Sequence, residues 1–325
     1  MKSKLINRIL LVLDCLAVLF LAIVYGPYDT FRTWYVTTSM STNSHKYLAH
    51  IFYTEEQIEE IMSSNTLTII SESSDDSLIT VGVNNDDNLT DLEQQILNNP
   101  NNEDYQIIKI SGSGYTGWLT VIYDPTRLDL AVTENGQGNT VSELAEQCGA
   151  IIAVNGGGFT TGRKSKQASG GLICNGEIWE NSEETEEIIA MTTDGKLLLK
   201  YSTMQEVYQQ YDVAWAVHFI PFLIVNGTSA TVTGNAGGQQ PRTAIGQRAD
   251  GIIILMTVDG RGSNGSIGIN YADMISIFEQ CGCINAANLD GGGSTTLYEN
   301  GRIINDPATR NSDGERTVYD AIVFK

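Results

Sequence analysis

The run Asn288-Leu289-Asp290-Gly291-Gly292-Gly293-Ser294-Thr295-Thr296-Leu297 constrains this chain more than any other stretch. The apolar segment from Ile284 to Asn288 reads as a buried strand leading into it. One carboxylate, three glycines and three hydroxyls follow, and then the chain turns apolar again. Glycine loses the most backbone freedom on folding, so three in a row are costly to order. They suit a place where side chains would bar the backbone from something else. A carboxylate at a strand end, with bare amides beside it, suits a small polar ligand whose oxygens accept from N–H groups.

Two other strand ends have the same form. Ile151 to Val154 runs into Asn155-Gly156-Gly157-Gly158-Phe159, and Ile252 to Val258 runs into Asp259-Gly260-Arg261-Gly262. Each alone also reads as a simple turn, because Asn-Gly and Asp-Gly are strong turn formers. Three together favour polar strand ends converging on one cleft.

The N-terminus reads as a membrane anchor. Lys2, Lys4 and Arg8 precede an apolar run from Ile9 to Tyr25, broken only by Asp14. That length is near the lower limit for a bilayer span. Cations in front predict a cytoplasmic N-terminus and an external body. Tyr25-Gly26-Pro27-Tyr28 is a poor cleavage box, which favours an uncleaved signal-anchor over a cleaved signal peptide. Removing Lys2, Lys4, Arg8 and Asp14 from totals of 19 basic and 39 acidic residues leaves 16 against 38, a net charge of −22 beyond residue 27. Nucleic acid and anionic lipid heads would repel such a body. Of the five cysteines, Cys281-Gly282-Cys283 has no second pair and no nearby histidine, which argues against zinc.

Along the chain, residues 1–27 form the cytoplasmic tip and anchor. Residues 28–105 form a membrane-proximal stalk or small α/β region. Thr37 to Ser44 is a polar stretch suited to a stalk, Glu55 to Met62 reads as a short helix, and two short strands and the Asn84–Asn88 run follow. The cluster Asn98 to Asp104 marks the boundary. From residue 106 to 325 the pattern tightens. Thr116–Tyr123, Leu128–Val132 and Tyr319–Phe324 read as strands. Thr140-Val141-Ser142-Glu143 is a capping box opening a helix that Gly149 closes. Tyr271, Met274, Ile275 and Phe278 share one helical face. The fold class is α+β: a mixed β-sheet core with flanking helices, preceded by a transmembrane anchor.

Elimination narrows the chemistry. No Gly-Lys-Ser/Thr follows a glycine run, so a P-loop is unsupported. Gly-x-Ser-x-Gly is absent. His45 and His50 lie in the stalk region, and His218 lies in an apolar run as a core or cleft-wall residue. What remains is carboxylate chemistry with arginine and amide support. Asp259 and Asp290 each end an apolar strand, and two carboxylates can divide acid, base and nucleophile roles in acetal cleavage. Arg242 opens a short strand in Pro241-Arg242-Thr243-Ala244-Ile245-Gly246, and its fork suits a phosphate or carboxylate. A salt bridge is the alternative for Arg242, and equally for Arg316.

The series Asn155 to Phe159, Pro241 to Gly246, Val258 to Arg261, Asn288 to Thr295 and Glu315-Arg316 resembles the phosphodiester glycosidase domain family, in family order over about residues 106–325. Gly158 is additional to the family's usual Asn-Gly-Gly-aromatic block. The resemblance implies cleavage of a sugar from a sugar-1-phosphodiester. Asp259 and Asp290 are then the catalytic candidates. Asn155, Gly156, Arg242, Thr243, Gly291, Gly292, Gly293, Ser294 and Arg316 are the substrate-binding candidates. No cofactor is required; a divalent cation at Asp259 or Asp290 is left open. The expected substrate is an envelope glycan or related glycoconjugate, met outside the cell membrane. A non-catalytic glycan-binding scaffold and a metal-dependent phosphodiesterase are the rival readings.

Overall fold

Alternating apolar runs and tight Asn-Gly or Asp-Gly turns produce antiparallel sheet in this chain. The computed structural model describes residues 2–42, 45–82, 89–134, 136–161, 166–309 and 314–325. Two compact units emerge: Met1–Thr66 with Val232–Gln239, and Leu67–Thr231 with Gln240–Lys325. Residues 67–104 belong to the larger unit.

The larger unit contains three main sheets. The first orders its strands Tyr105–Gly112, Tyr115–Ile122, Ile253–Val258, Arg242–Arg248, Cys283–Asn288, Phe222–Val225 and Thr228–Ser229. The second orders them Leu197–Ser202, Glu186–Thr192, Val213–His218, Leu172–Cys174 and Glu177–Glu180. The third orders them Arg302–Ile303, Leu297–Glu299, Ile152–Asn155, Asp320–Phe324 and Leu128–Val132. One apolar core joins all three sheets, through residues such as Trp118, Ile253 and Ala287, Ile189 and Trp215, and Ile152 and Phe324. The central strand of the first sheet, Arg242–Arg248, is buried along its whole length. It pairs antiparallel with both Ile253–Val258 and Cys283–Asn288. Antiparallel pairing sets Arg242 opposite Val258 and Ala244 opposite Asn288. The start of the arginine strand and the ends of both Asp-Gly strands therefore lie at one edge.

The helices follow their sequence signals. Val141–Cys148 carries the reciprocal Thr140–Glu143 capping box and ends at Gly149, with φ +70°. It covers the third sheet through Val141, Leu144 and Ala145. Tyr271–Gln280 buries Met274, Ile275 and Phe278. Phe278 packs so close to Gly246 that a Cβ there would stand 2.7 Å from its ring. Arg248, Glu93 and Asp250 form a buried ion-pair cluster, at 3.0 Å to each partner.

One expectation needs correction. No strand lies between Ser63 and Tyr105 among the described residues. That segment is instead held by scattered backbone bonds: Thr68 N–H donates to Thr231 O, Ser74 N–H to Leu199 O and Thr80 N–H to Ala249 O. Thr37 to Met40 ends the helix Asp29–Met40, with Thr37 and Ser39 buried. Thr37 Oγ1 donates to Thr33 O at 2.7 Å and accepts from Asn235 at 2.7 Å, which satisfies it within the smaller unit. Ser44 and the Asn84–Asn88 run lie outside the described residues. The helix read near Glu55 is present as Glu55–Ser63.

Lys2–Tyr25 is a single helix of 24 residues. Its segment Lys4–Tyr25 is the one helix among the described residues long and apolar enough to cross a membrane. Large apolar side chains from Leu5 to Leu21 are exposed.

Candidate active site

The strand Ile152–Asn155 delivers Asn155 fully buried to its end. Its Nδ2 donates to the Asp290 carbonyl at 2.5 Å. Its Oδ1 accepts from Thr243 Oγ1 at 2.7 Å and from Thr296 N–H at 3.2 Å. Asn155 and Thr243 thus tie three predicted segments together with their own polar atoms.

The glycine loop wraps the Arg242 strand start. Gly292 N–H donates to the Pro241 carbonyl at 2.8 Å, and Leu289 N–H to Thr243 O at 2.8 Å. Gly291 N–H donates to Asp290 Oδ1 at 2.9 Å. Gly292 sits at φ +63°, where a Cβ would stand 3.0 Å from Arg261 Nη2. A Cβ on Gly293 would lie 2.1 Å from Thr309 Oγ1, which donates to the Gly293 carbonyl. Two of the three loop amides therefore have intramolecular acceptors, unlike the bare amides expected from sequence.

Three arginines gather at this loop. Arg242 lies over the Tyr271 ring, 4.6 Å from its centroid. Arg316 Nη1 donates to Ser294 Oγ at 3.2 Å, and its guanidinium lies 4.9 Å from the Phe159 centroid. Arg261, at φ +58°, donates from Nε and Nη2 to Gln240 Oε1 at 3.3 and 3.1 Å. These partners are neutral. Desolvation, then the like charges of Arg316 and Arg242, pull the Arg261 pKa down. Lys166, stacked on the other cation's ring Phe159 at 5.6 Å, is likewise pulled down by burial and then by Arg316. Positive groups that lower the basicity of Arg261 and Lys166 beside them favour an anion in their midst.

Asp290 faces that field. Burial pushes its carboxyl up, while Ser294, Arg316, Gly291 N–H and Arg242 pull it back toward the charged form. Asp259 has a different setting. It is 1% exposed. Its Oδ2 accepts from Asn264 Nδ2 at 2.7 Å and its Oδ1 from Asn305 Nδ2 at 2.9 Å. Asp306 N–H donates to both oxygens at 3.2 Å. Burial raises the Asp259 pKa and these donors oppose it.

His218 is used inside the fold: its Nδ1 lies 3.1 Å from the Glu187 carbonyl, and its own carbonyl accepts from Gly158 N–H. Among the described residues no group of three or more His, Cys, Asp or Glu is placed to hold a metal ion. All five cysteines are unpaired, and burial pushes the Cys281 thiol up to about 12. A polar cavity of about 810 Å³, lined by Arg127, Asp129, Tyr208 and Lys325 among others, contains none of the candidate residues.

Sequence reading passed over Arg261 and Asp320 as site residues. Arg261 stood in the quoted Asp-Gly-Arg block, where a non-glycine residue after a tight turn was the available signal. Asp320 falls inside the apolar run Tyr319–Phe324, which reads as an ordinary strand. It is 2% exposed, and its Oδ1 accepts from Gly157 N–H at 2.7 Å.

An antiparallel α+β fold with a glycine loop, a strand-end carboxylate and three arginines beside the loop is an arrangement suited to an anionic ligand. Comparison with known proteins makes this specific. The family model of phosphodiester glycosidase matches residues 148–325, more than half of the chain. The chain belongs to the phosphodiester glycosidase family. The SPbeta prophage-derived uncharacterized protein YomE of Bacillus subtilis is 30% identical over 214 residues, covering 62% of this chain and 31% of that protein. The N-acetylglucosamine-1-phosphodiester alpha-N-acetylglucosaminidase of Mus musculus is 27% identical over 227 residues, covering 62% of this chain and 43% of that protein. The chain thus spans less than half the length of these relatives. The zebrafish catalytic domain of the same-named enzyme, auto-inhibited by its pro-peptide, superposes with TM-score 0.56 at 21% identity, over 70% of this chain and 85% of that one. A putative exported protein of Burkholderia pseudomallei gives TM-score 0.50 at 15% identity, over 66% and 75%. These two likenesses concern the fold.

Proposed function

We propose that this chain is a hydrolase that cleaves a sugar from a sugar-1-phosphodiester, breaking the carbon–oxygen bond at the anomeric centre. The observation that carries this reading is the crowding of Arg242, Arg261 and Arg316 around the Asp290 loop. Guanidinium forks match phosphoryl oxygens, and desolvated cations lose self-repulsion when a phosphodiester enters. Phosphate is a good leaving group, so departure needs little proton donation. The carboxylate of Asp290 then serves the anomeric carbon, either directly or through water. Asp259 secures the loops: Asn264 and Asn305 hold it on one side, and Asn305 in turn accepts from Leu297 N–H at 2.8 Å. Asn155 and Thr243 position the Asp290 backbone, and Gly156, Gly291, Gly292, Gly293 and Ser294 shape the loop beside the phosphate.

The mouse relative's name specifies N-acetylglucosamine-1-phosphodiester, which makes that sugar the first to test. In the same reading residues 1–27 are an uncleaved anchor, residues 28–105 are membrane-proximal, and residues 106–325 form the catalytic domain acting outside the cell on an envelope glycan or related glycoconjugate. Protease added to intact cells should digest the body; protection until lysis would reverse the orientation. The activity test incubates the full chain with phosphodiesters of N-acetylglucosamine-1-phosphate and of other sugar-1-phosphates. Release of free sugar and a phosphomonoester is expected. No release from any of them would overturn the reading.

A further inference from the structure

Asp320 opens the strand of the third sheet that pairs with Ile152–Asn155 on one side and Leu128–Val132 on the other, and it is almost wholly buried. Its Oδ1 takes the Gly157 N–H, while its Oδ2 is buried with no hydrogen-bond partner. A charged oxygen without a donor is far costlier to bury than a neutral hydroxyl. Gly156 links this carboxyl to the site. Its N–H donates to the Asp320 carbonyl at 3.2 Å, and its carbonyl accepts from Asp290 N–H at 3.1 Å. A Cβ on Gly156 would stand 2.1 Å from Asp320 Oδ1, so the missing side chain is what lets the carboxyl occupy that place. The titratable groups facing Asp320 are Asp290, Glu180, Tyr319 and Cys174. Tyr319 is turned toward Glu180, to which its hydroxyl donates, and Cys174 Sγ donates to Leu130 O. Burial pushes the Asp320 carboxyl up to about 7; the charges of Asp290 and Glu180 add to the rise and the Gly157 N–H opposes it.

We propose that Asp320 is a positioning residue that holds one proton behind the Asn155–Gly157 turn, so that the two carboxyls flanking Gly156 carry a single negative charge, seated on Asp290. The inference rests on the reading of Asp290 as the working carboxylate. When Asp320 loses its proton, a second negative charge faces Asp290 from behind and also opposes the incoming phosphodiester. Activity then falls.

The test is the pH profile of kcat/KM for the full chain and its Asp320→Asn variant, over about pH 5 to 9. Asparagine keeps the acceptor for Gly157 and mimics the neutral acid. The wild type should lose activity as the pH passes about 7. Asp320→Asn should match the wild type on the acid side, with its alkaline limb moved up by about one pH unit or more. An unmoved limb would overturn the proposal. So would a folded Asp320→Asn protein inactive at every pH, since that would make the ionised form the working one. A second readout is ¹³C NMR titration of aspartate carboxyls in the wild-type chain, compared with the variant where that variant folds. A carboxyl titrating near neutrality and absent from the variant supports the proposal; an Asp320 already ionised at mildly acid pH contradicts it. If no sugar-1-phosphodiester is turned over, the functional reading fails by itself, and the NMR titration alone decides where the proton sits.

Discussion

Two neighbouring strands of the first sheet, Ile253–Val258 and Cys283–Asn288, end in the same way, with a carboxylate followed by glycine. Around Asp259 the donors are neutral amides from Asn264, Asn305 and the Asp306 backbone, and they occupy both oxygens. Around Asp290 the charged neighbours are Arg242 and Arg316. The first carboxylate is an internal acceptor that fastens loops. The second keeps a seat in a cationic field, half-buried at the site. A strand-end aspartate gains its role from what the rest of the chain brings to it.

The sharpest break in this comparison is Asp290→Asn. It should fold at near wild-type stability and lose turnover by about 10²–10⁴-fold, the scale of removing a working carboxyl. Turnover and melting temperature measured together decide it, and full turnover would shift the chemistry elsewhere. Arg242→Ala comes next. Loss of a charged phosphate contact should lower kcat/KM by about 1.5–3 kcal/mol, with the fold kept. Wild-type kinetics in a folded variant would leave Arg242 as a structural partner of Tyr271.

Asp259→Asn inverts the expectation for Asp290. It sets an amide N–H₂ against donors, so stability should fall by about 1–3 kcal/mol, while turnover per folded molecule stays close to wild type. Loss of turnover without loss of stability would return Asp259 to the chemistry. Asp320 adds a pH signature. Its carboxyl is raised from an ordinary value near 3.8 to about 7, so its stabilising contribution is fully present below about pH 4 and is lost as the pH climbs through 7. Asp320→Asn should therefore flatten the decline in stability between those limits, visible as melting temperature against pH. The smallest effect belongs to Gly292→Ala. Its positive φ predicts a cost of about 1–2 kcal/mol, whereas contact at the far end of the long Arg261 side chain adds little. A loss of activity well beyond the loss of stability would mean that the new methyl blocks the ligand.

Much of the fold was legible in the sequence because its signals are local. The Thr140–Glu143 capping box, the Tyr271–Phe278 face and the β-branched runs each fix structure within a few residues. The resemblance to phosphodiester glycosidases rested on short blocks in order, and the family match agrees with it. What escaped was long-range. Asn305 reaches Asp259 from 46 residues away, and Gly157 reaches Asp320 from 163. No periodicity encodes such pairings. The segment after Ser63 has strand-like composition, yet among the described residues it contributes no strand to the sheets before Tyr105. The polarity of Thr37 and Ser39 is visible in the sequence, while their burial, and the bond of Thr37 to the distant Asn235, are not.

Carbon–oxygen cleavage at the Asp290 end of the sheet is tested most directly by hydrolysis in ¹⁸O-water. A sugar-1-phosphodiester is turned over by the full chain, and both products are weighed by mass spectrometry. Attack at the anomeric carbon puts the label in the released sugar and leaves the phosphomonoester unlabelled. Label in the phosphomonoester, with an unlabelled sugar, would mean that the phosphorus–oxygen bond breaks and would contradict the role given to Asp290.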